Sequence, residues 1–425
     1  MSAANRTFGE LRDSGQEVYE NQKNILIFKK TLLELLKLES SFNIESFFCS
    51  TNYGFSHGAH HNANNKLLFF STNVLNSYYE CLIRETGSLT VKYAIAQKLL
   101  IEDTASISVN YQGNDSSYQM LSSLQNNGQN MILLRIENFL PYDKLVANLH
   151  SPVYIQSEKS KQISMEYVNF NYNVGATNNG FILYRARLNL KSGYILYIIP
   201  DDIRDYAVII CDYKKHLVTI NNILAASTRP VNRTIKVKLN FDCSELDILV
   251  ENKGRMSDIQ DKRRFSRERK GILSENAITF KRSENDSFKY IGYFMWKIHL
   301  IDFSLDKVLN RFSFNSEWIK CDENLERIQT KSGPFFANVF FNVEKSSKND
   351  SSNSRKGLYL LMSNWNKGLV FINGFNLGRY WNVGPLLTFF VPESLLNDGK
   401  NELVIFELHS VKDFFVYISK SHIRI

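Results

Sequence analysis

Proline and glycine are scarce in this chain, at 7 and 20 in 425 residues, and cysteine is scarcer still at 5. The cysteines (Cys49, Cys81, Cys211, Cys243 and Cys321) are widely spaced, odd in number, and form no CxxC or Cys/His metal pattern. Neither a zinc module nor a disulfide framework is expected from them, and a single bridge stays open. No run of about 18 apolar residues occurs, so no transmembrane helix and no membrane partner are expected. The first residues, MSAANRTFGELRDSG, lack the apolar core of a signal peptide, and as written the chain is expected to have no route into the secretory pathway. No GxSxG, P-loop or dinucleotide fingerprint is present, and no cofactor is expected.

Aromatics are abundant instead, with 30 Phe and 21 Tyr. Hydrophobic content of 44% and charged content of 22% describe a globular protein, long enough for two or three domains. Aromatic and β-branched residues suit the pleated, half-buried surfaces of β-sandwiches. The formal charge is +8, part of it crowded into Lys262, Arg263, Arg264, Arg267, Arg269 and Lys270, opposed by Glu268. Such a cluster is able to meet an anion. It joins two β segments and carries no stacking aromatic besides Phe265, so it reads as a solvated loop, with no nucleic-acid partner. N-x-S/T sequons stand at Asn5, Asn114, Asn232, Asn285 and Asn349. The chain is rich enough in Asn and Ser for chance to supply that many.

Read in order, residues 24–39 have apolar positions at helical spacing, and 43–50 read as a short buried strand. A loop rich in Gly, Asn and His follows. His57, His60 and His61 lie in it, with no Asp, Glu or Cys nearby at ligand spacing, so a solvated loop is expected and no metal site. A second helix is expected over 88–102, with Ser88 as a candidate N-cap. Residues 103–142 are polar and read as a connector. From about 143 strands return, at 180–188, 194–199, 203–208 and 246–252. Trp296 and Trp318 are expected at a core or seam.

The stretch 368–408 carries defined punctuation. Apolar runs at 369–372 and 388–391 and an alternating run at 402–408 are bounded by Asn373-Gly374, Pro392 and Asp398-Gly399, as in an antiparallel β-sandwich. Between the first two runs, Asn376-Leu377-Gly378-Arg379-Tyr380-Trp381 reads as a bend. Two roles stand for it. One is a sandwich corner, with Tyr380 and Trp381 plugging the core and Arg379 tying down backbone carbonyls; the other is a sugar-facing surface. The first is favoured because large aromatics bury readily.

Residues 368–408 resemble the C-terminal jelly-roll of the family 35 β-galactosidases. Thr51-Asn52-Tyr53-Gly54-Phe55 with Gly58-Ala59 is similar to that family's motif at the last strand of its TIM barrel. Residues 78–93, 180–185, 203–208 and 246–255 resemble further family segments in the same order. The resemblance implies a mainly β fold, with two galactose-binding-like jelly-rolls after an α/β remnant of a TIM barrel. The implied division is 1–102 barrel segment, 103–142 connector, 143–275 first jelly-roll and 276–425 second jelly-roll. The implied reaction is retaining, cofactor-free release of terminal β-galactose from glycans, in a lysosomal, vacuolar or secreted setting.

Retaining glycosidases need two carboxyl groups about 5–5.5 Å apart. The resemblance puts the family's acid/base upstream of Met1. Laying Gly9, Leu11, Gly15 and Gln16 on the family pattern puts Asn5 at the nucleophile position, with Glu10 as the alternative. Asn cannot form the glycosyl ester, so a truncated, inactive portion is expected. Tyr79 is the one sugar-contact tyrosine carried over, and a structural Tyr is its other reading. Glu45 and Ser77 replace two more family tyrosines. A non-catalytic carbohydrate-binding or scaffold protein is the alternative function.

Overall fold

The computed structural model describes residues 14–38, 41–44, 47–48, 51–56, 59–62, 67–70, 81–83, 87, 89–101, 131–147, 149, 152–156, 163–172, 180–213, 215–221, 234–255, 268–290, 295–301, 303, 318–321, 333–344, 357–383 and 387–419. Helix Ser14–Lys37 begins some way before the expected start at 24, and helix Val91–Ile101 matches the second expected helix. Ser88 lies outside the described residues. The Thr90 hydroxyl takes the Tyr93 N–H at 3.4 Å, capping the second helix. Leu32 meets Leu82, Ala96 and Leu99 in a small core between the helices. Of the strand expected at 43–50, the described residues make one parallel bridge, Phe48 with Ile83.

The rest is mainly β-sheet, as expected, with short helices at Tyr142–Ala147 and Met165–Tyr172. The first sandwich has a six-stranded sheet ordered Lys215–Asn221, Tyr206–Cys211, Cys243–Asn252, Gly180–Leu190, Met295–Ile301 and Val153–Gln156. Against it lies a four-stranded sheet ordered Ile235–Lys238, Ile195–Ile198, Ile278–Lys281 and Lys289–Tyr290. Strands at 278–281, 289–290 and 295–301 thus complete the first sandwich, where the sequence suggested the second. Trp296 accordingly lies in the first core, edge-on to Tyr184. The expectation of no disulfide framework is also corrected. Cys211 and Cys243 are bridged across neighbouring strands with Cα atoms 5.8 Å apart, and Cys81 is disulfide-bonded as well.

The second sandwich opposes a six-stranded sheet, ordered Ile319–Lys320, Asn138–Pro141, Phe335–Val343, Gly399–Glu407, Lys367–Ile372 and Phe375–Trp381, to a four-stranded one. The latter runs Thr388–Pro392, Gly357–Leu361, Phe415–Ser419 and Ile132–Arg135. Two of these strands, Ile132–Arg135 and Asn138–Pro141, fall inside the expected connector. They pair with partners late in the chain, which local polarity does not reveal. Asn373 (φ 46°) and Gly374 (φ 83°) form the two-residue hairpin turn that an Asn-Gly pair favours. The segment expected as a bend is therefore a strand: Phe375–Trp381 pairs along Lys367–Ile372, with a register shift between Val370 and Phe371.

Strand alternation explains the layering. Along Gly180–Leu190, Ile182, Tyr184, Ala186 and Leu188 face the first core, while Phe181 and Leu183 face away from it. Along Gly399–Glu407, Leu403 and Ile405 face the second core, while Val404 and Phe406 face away. The outward sets meet. The two six-stranded sheets press together over a seam of Phe181, Leu183, Val208, Phe336, Phe371 and Phe406, with Trp318 at its partly buried margin. Phe406 is fully buried there, with ring centroids 5.5 Å from Phe181, 5.3 Å from Phe303 and 4.8 Å from Phe336. Phe406→Ala is expected to cost about 3–5 kcal/mol in equilibrium denaturation. Phe170→Ala, at a position 88% exposed, is expected to stay within about 0.5 kcal/mol.

Candidate functional site

Asn5, Glu10, Glu45, His57, Ser77 and Tyr79 lie outside the described residues. The backbone of His60 and His61 runs in strand Ala59–Asn62, paired with Leu67–Phe70, so part of the expected loop is a two-stranded ribbon. Among the described residues the one His/Cys/Asp/Glu group of metal-binding size is Cys211, Asp212 and Cys243. Its sulfurs are already joined to each other, and Asp212 accepts the backbone N–H groups of Ser244 and Glu245. It is a turn lock.

The concentration of buried charge lies at one end of the seam, around Arg379. Strand Phe375–Trp381 brings Arg379 against the end of strand Cys243–Asn252 on the other sandwich. Arg379 Nε donates to Glu251 Oε1 at 2.8 Å, and Nη2 donates to the Asn252 carbonyl at 2.5 Å. Arg379 thus ties down a carbonyl, as expected, and pairs with a carboxylate that the sequence did not single out. Lys367, from the neighbouring strand, holds the other Glu251 oxygen at 2.7 Å. Glu251, Lys367 and Arg379 are each at most 2% exposed. Tyr380 plugs the second core, its hydroxyl donating to Glu407. Trp381 sits under Lys367 and against Tyr206 at the seam.

The Thr51–Phe55 motif docks onto the same corner. Tyr53 meets Phe375 edge-on at 5.2 Å. Gly54 turns the chain at φ 63° beside Asn376, a conformation that favours glycine. The Phe55 ring then lies 4.6 Å from the Arg379 guanidinium. It also lies so close to Gly180 that a Cβ there would stand 3.1 Å from the ring. One aromatic therefore touches a residue of each sandwich.

A second buried pair supports the first. Asp205 receives Lys270 Nζ at 2.7 and 2.9 Å and the Lys253 N–H at 3.0 Å. Lys270, expected in the solvated basic loop, is in fact 1% exposed. Its carboxylate partner, 65 residues earlier in the chain, supplies the reason. Lys253 reaches Asn221 Oδ1 at 3.0 Å, and burial draws its pKa down to about 7. Glu407 accepts N–H groups from Asn366, Lys367 and His409, yet burial prevails and raises it to about 7. His409 shares a 2.5 Å hydrogen bond with Tyr206, and burial, with Lys367 nearby, lowers it to about 4. For Glu251 burial pushes upward, but Lys367 and Arg379 more than reverse it and hold the carboxyl below its ordinary value.

Each of these carboxylates is held by cations or backbone N–H groups, so the cluster acts as a fastening. Known proteins resemble the chain that carries it. The model described as "Beta-galactosidase, first all-beta domain" matches residues 171–291, and "Beta-galactosidase, galactose-binding domain" matches 334–401. This chain is β-galactosidase-like, and its matches are to proteins of glycoside hydrolase family 35. It is similar to Beta-galactosidase 1 of Dictyostelium discoideum, with 27% identity over 383 residues, 88% of this chain and 50% of that protein. It is similar to Beta-galactosidase-1-like protein 3 of Rattus norvegicus, with 25% identity over 402 residues, 94% of this chain and 53% of that protein. Beta-galactosidase 17 of Arabidopsis thaliana is 50% identical over 62 residues, 14% of this chain and 9% of that protein. The chain spans about half the length of the first two. In this β-galactosidase-like chain, Glu251 and Arg379 join the strands that carried the resemblance in the first sandwich and in the second.

Glu251→Ala leaves two buried cations without their carboxylate and is expected to cost about 3–5 kcal/mol in chemical denaturation. The pH response has an internal balance. Glu407, raised from 4.5 to about 7, contributes stability that is full below pH 4.5 and lost as pH rises to 7. His409, lowered from 6.5 to about 4, contributes stability that is full above pH 6.5 and lost as pH falls to 4. The two slopes oppose each other between pH 4.5 and 6.5. In urea titrations, Glu407→Gln should make stability rise with pH across that window. His409→Asn should make it fall.

Proposed function

We propose that the two sandwiches are the scaffold of a β-galactosidase-like protein that acts on glycans ending in β-linked galactose. The observation that carries this reading is the docking of Phe55 between Arg379 and Gly180, which fastens the 51–55 motif to both sandwiches. On this reading residues 14–101 are the closing part of a TIM barrel, consistent with the parallel bridge between Phe48 and Ile83. The first sandwich covers 153–301, and the second is built from 132–141 together with 318–419.

The chain by itself does not hydrolyse β-galactosides on this reading. Retaining hydrolysis needs one carboxylate available as nucleophile and a second as acid/base. Among the described residues the buried carboxylates Asp205, Asp247, Glu251, Glu268 and Glu407 are all engaged, Asp247 by both Arg185 (2.6 Å twice) and Tyr142 (3.1 Å). Asn5 stands where the resemblance puts the nucleophile. Purified protein is expected to leave a chromogenic β-galactoside intact. Turnover that disappears on a single Glu→Gln change in this chain, Glu10→Gln first among them, overturns the reading. The name of the domain matched at 334–401 favours a second reading, carbohydrate binding without turnover. Retention of galactose-terminated glycans on an array, with no hydrolysis, is its outcome.

A further inference from the structure

The turn between strands Ile278–Lys281 and Lys289–Tyr290 carries Asn285-Asp286-Ser287, an N-x-S sequon without proline at its centre. Sequons arise by chance in a chain this rich in Asn and Ser, so placement has to decide. The other four, at Asn5, Asn114, Asn232 and Asn349, lie outside the described residues. Asn285 lies at the tip of a hairpin on the outer sheet of the first sandwich, and every residue from 282 to 289 is exposed. The turn closes through Asp286 and Ser283: the Asp286 N–H reaches the Ser283 carbonyl at 3.2 Å, and the Ser283 N–H reaches Asp286 Oδ2 at 3.0 Å. Those contacts leave the Asn285 amide and the Ser287 hydroxyl outside the hydrogen bonding of the turn.

Two further observations point the same way. Phe288 is 45% exposed three residues beyond Asn285, with Tyr197 edge-on at 5.0 Å and the Lys281 ammonium 3.8 Å from its centroid. An apolar ring among charged side chains on the outer face is a surface that the C–H face of a sugar ring can cover. The bridge between Cys211 and Cys243, with the bonded Cys81, belongs to folding under oxidising conditions. That is the kind of compartment in which lipid-linked oligosaccharides are transferred to asparagine.

We infer that Asn285 is an N-glycan acceptor and that the first sugars of its glycan lie against Phe288. The donor is an oligosaccharide on a lipid pyrophosphate. Asn285 Nδ2 bonds to the anomeric carbon, the bond from that carbon to the pyrophosphate oxygen breaks, the lipid pyrophosphate leaves, and the amide gives up one proton. Nothing is oxidised or reduced. The glycan then covers the outward Tyr197–Phe288 pair and keeps that face from packing on other chains.

The test uses protein isolated from the cells that make it. Peptide N-glycosidase in heavy-oxygen water should convert the Asn285 amide to a carboxylate carrying one heavy oxygen, read in the tryptic peptide 283–289. Recovery of that peptide wholly unmodified, without enzyme, overturns the assignment. Asn285→Gln and Ser287→Ala should each remove one glycan's worth of gel mobility, and Ser287→Thr should keep it, all with an unchanged far-ultraviolet circular dichroism spectrum. An Asn285→Gln protein that migrates with the parent also overturns it. Phe288→Ala should retain the glycan and abolish the difference in melting temperature between glycosylated and enzymatically stripped protein. A difference that survives Phe288→Ala overturns the packing against Phe288.

Discussion

A carboxylate withdrawn from water has to find its counter-charges inside the protein, and Glu251 finds both of its own on the other sandwich. An apolar seam alone supplies attraction without much direction, since phenyl rings tolerate small slides and rotations. The paired charges remove that freedom. Arg379 spans a side-chain carboxylate and the next residue's carbonyl, and Lys367 closes the remaining oxygen, so a displacement of one strand along the other leaves a buried charge unmet. The orientation of two sandwiches, and of the Thr51–Phe55 segment seated on Arg379, follows from a single carboxylate.

The division of labour between seam and cluster is visible in the side-chain chemistry. Phe181, Phe303, Phe336, Phe371 and Phe406 remove apolar area from water, and their stacked, tilted and edge-on contacts fill the space between sheets. The charged end adds few buried carbon atoms and costs desolvation. Its contribution is selection among arrangements that the phenylalanines alone would tolerate. Lys253 and Glu407, both near pKa 7, show how far burial has been pushed at this end before neutrality becomes the better state.

Local features were legible in the sequence where the physics is local. The Asn373-Gly374 turn, the second helix and the alternation of the closing strands were all readable, because turn geometry and periodicity act over a few residues. Burial of Tyr380 followed from residue type. Long-range partners were not legible. Nothing near Arg379 names Glu251, more than a hundred residues earlier, and nothing near Lys270 names Asp205. The strands at 132–135 and 138–141 looked like linker because their partners lie beyond residue 318. The bridge between Cys211 and Cys243 was hidden for the same reason, since adjacency in a sheet does not follow from spacing along the chain. The Gly378 bend was misread because a glycine inside a strand resembles a glycine between strands. Here the neighbouring strand supplies the pairing that decides.

The placement of strands Ile132–Arg135 and Asn138–Pro141 also sets a timetable. They are made before any strand of the first sandwich's large sheet, yet their partners, Phe335–Val343 and Phe415–Ser419, are made only after that sheet is complete. At roughly 5–20 residues per second the wait is on the order of tens of seconds. Through that interval the apolar edge strand with Met131, Ile132 and Leu133 has no sheet to join, and the outward face of the first sandwich has no second sheet to cover it. The order of birth and the order of assembly run in opposite directions, and the chain crosses back over its own finished sandwich to close the other.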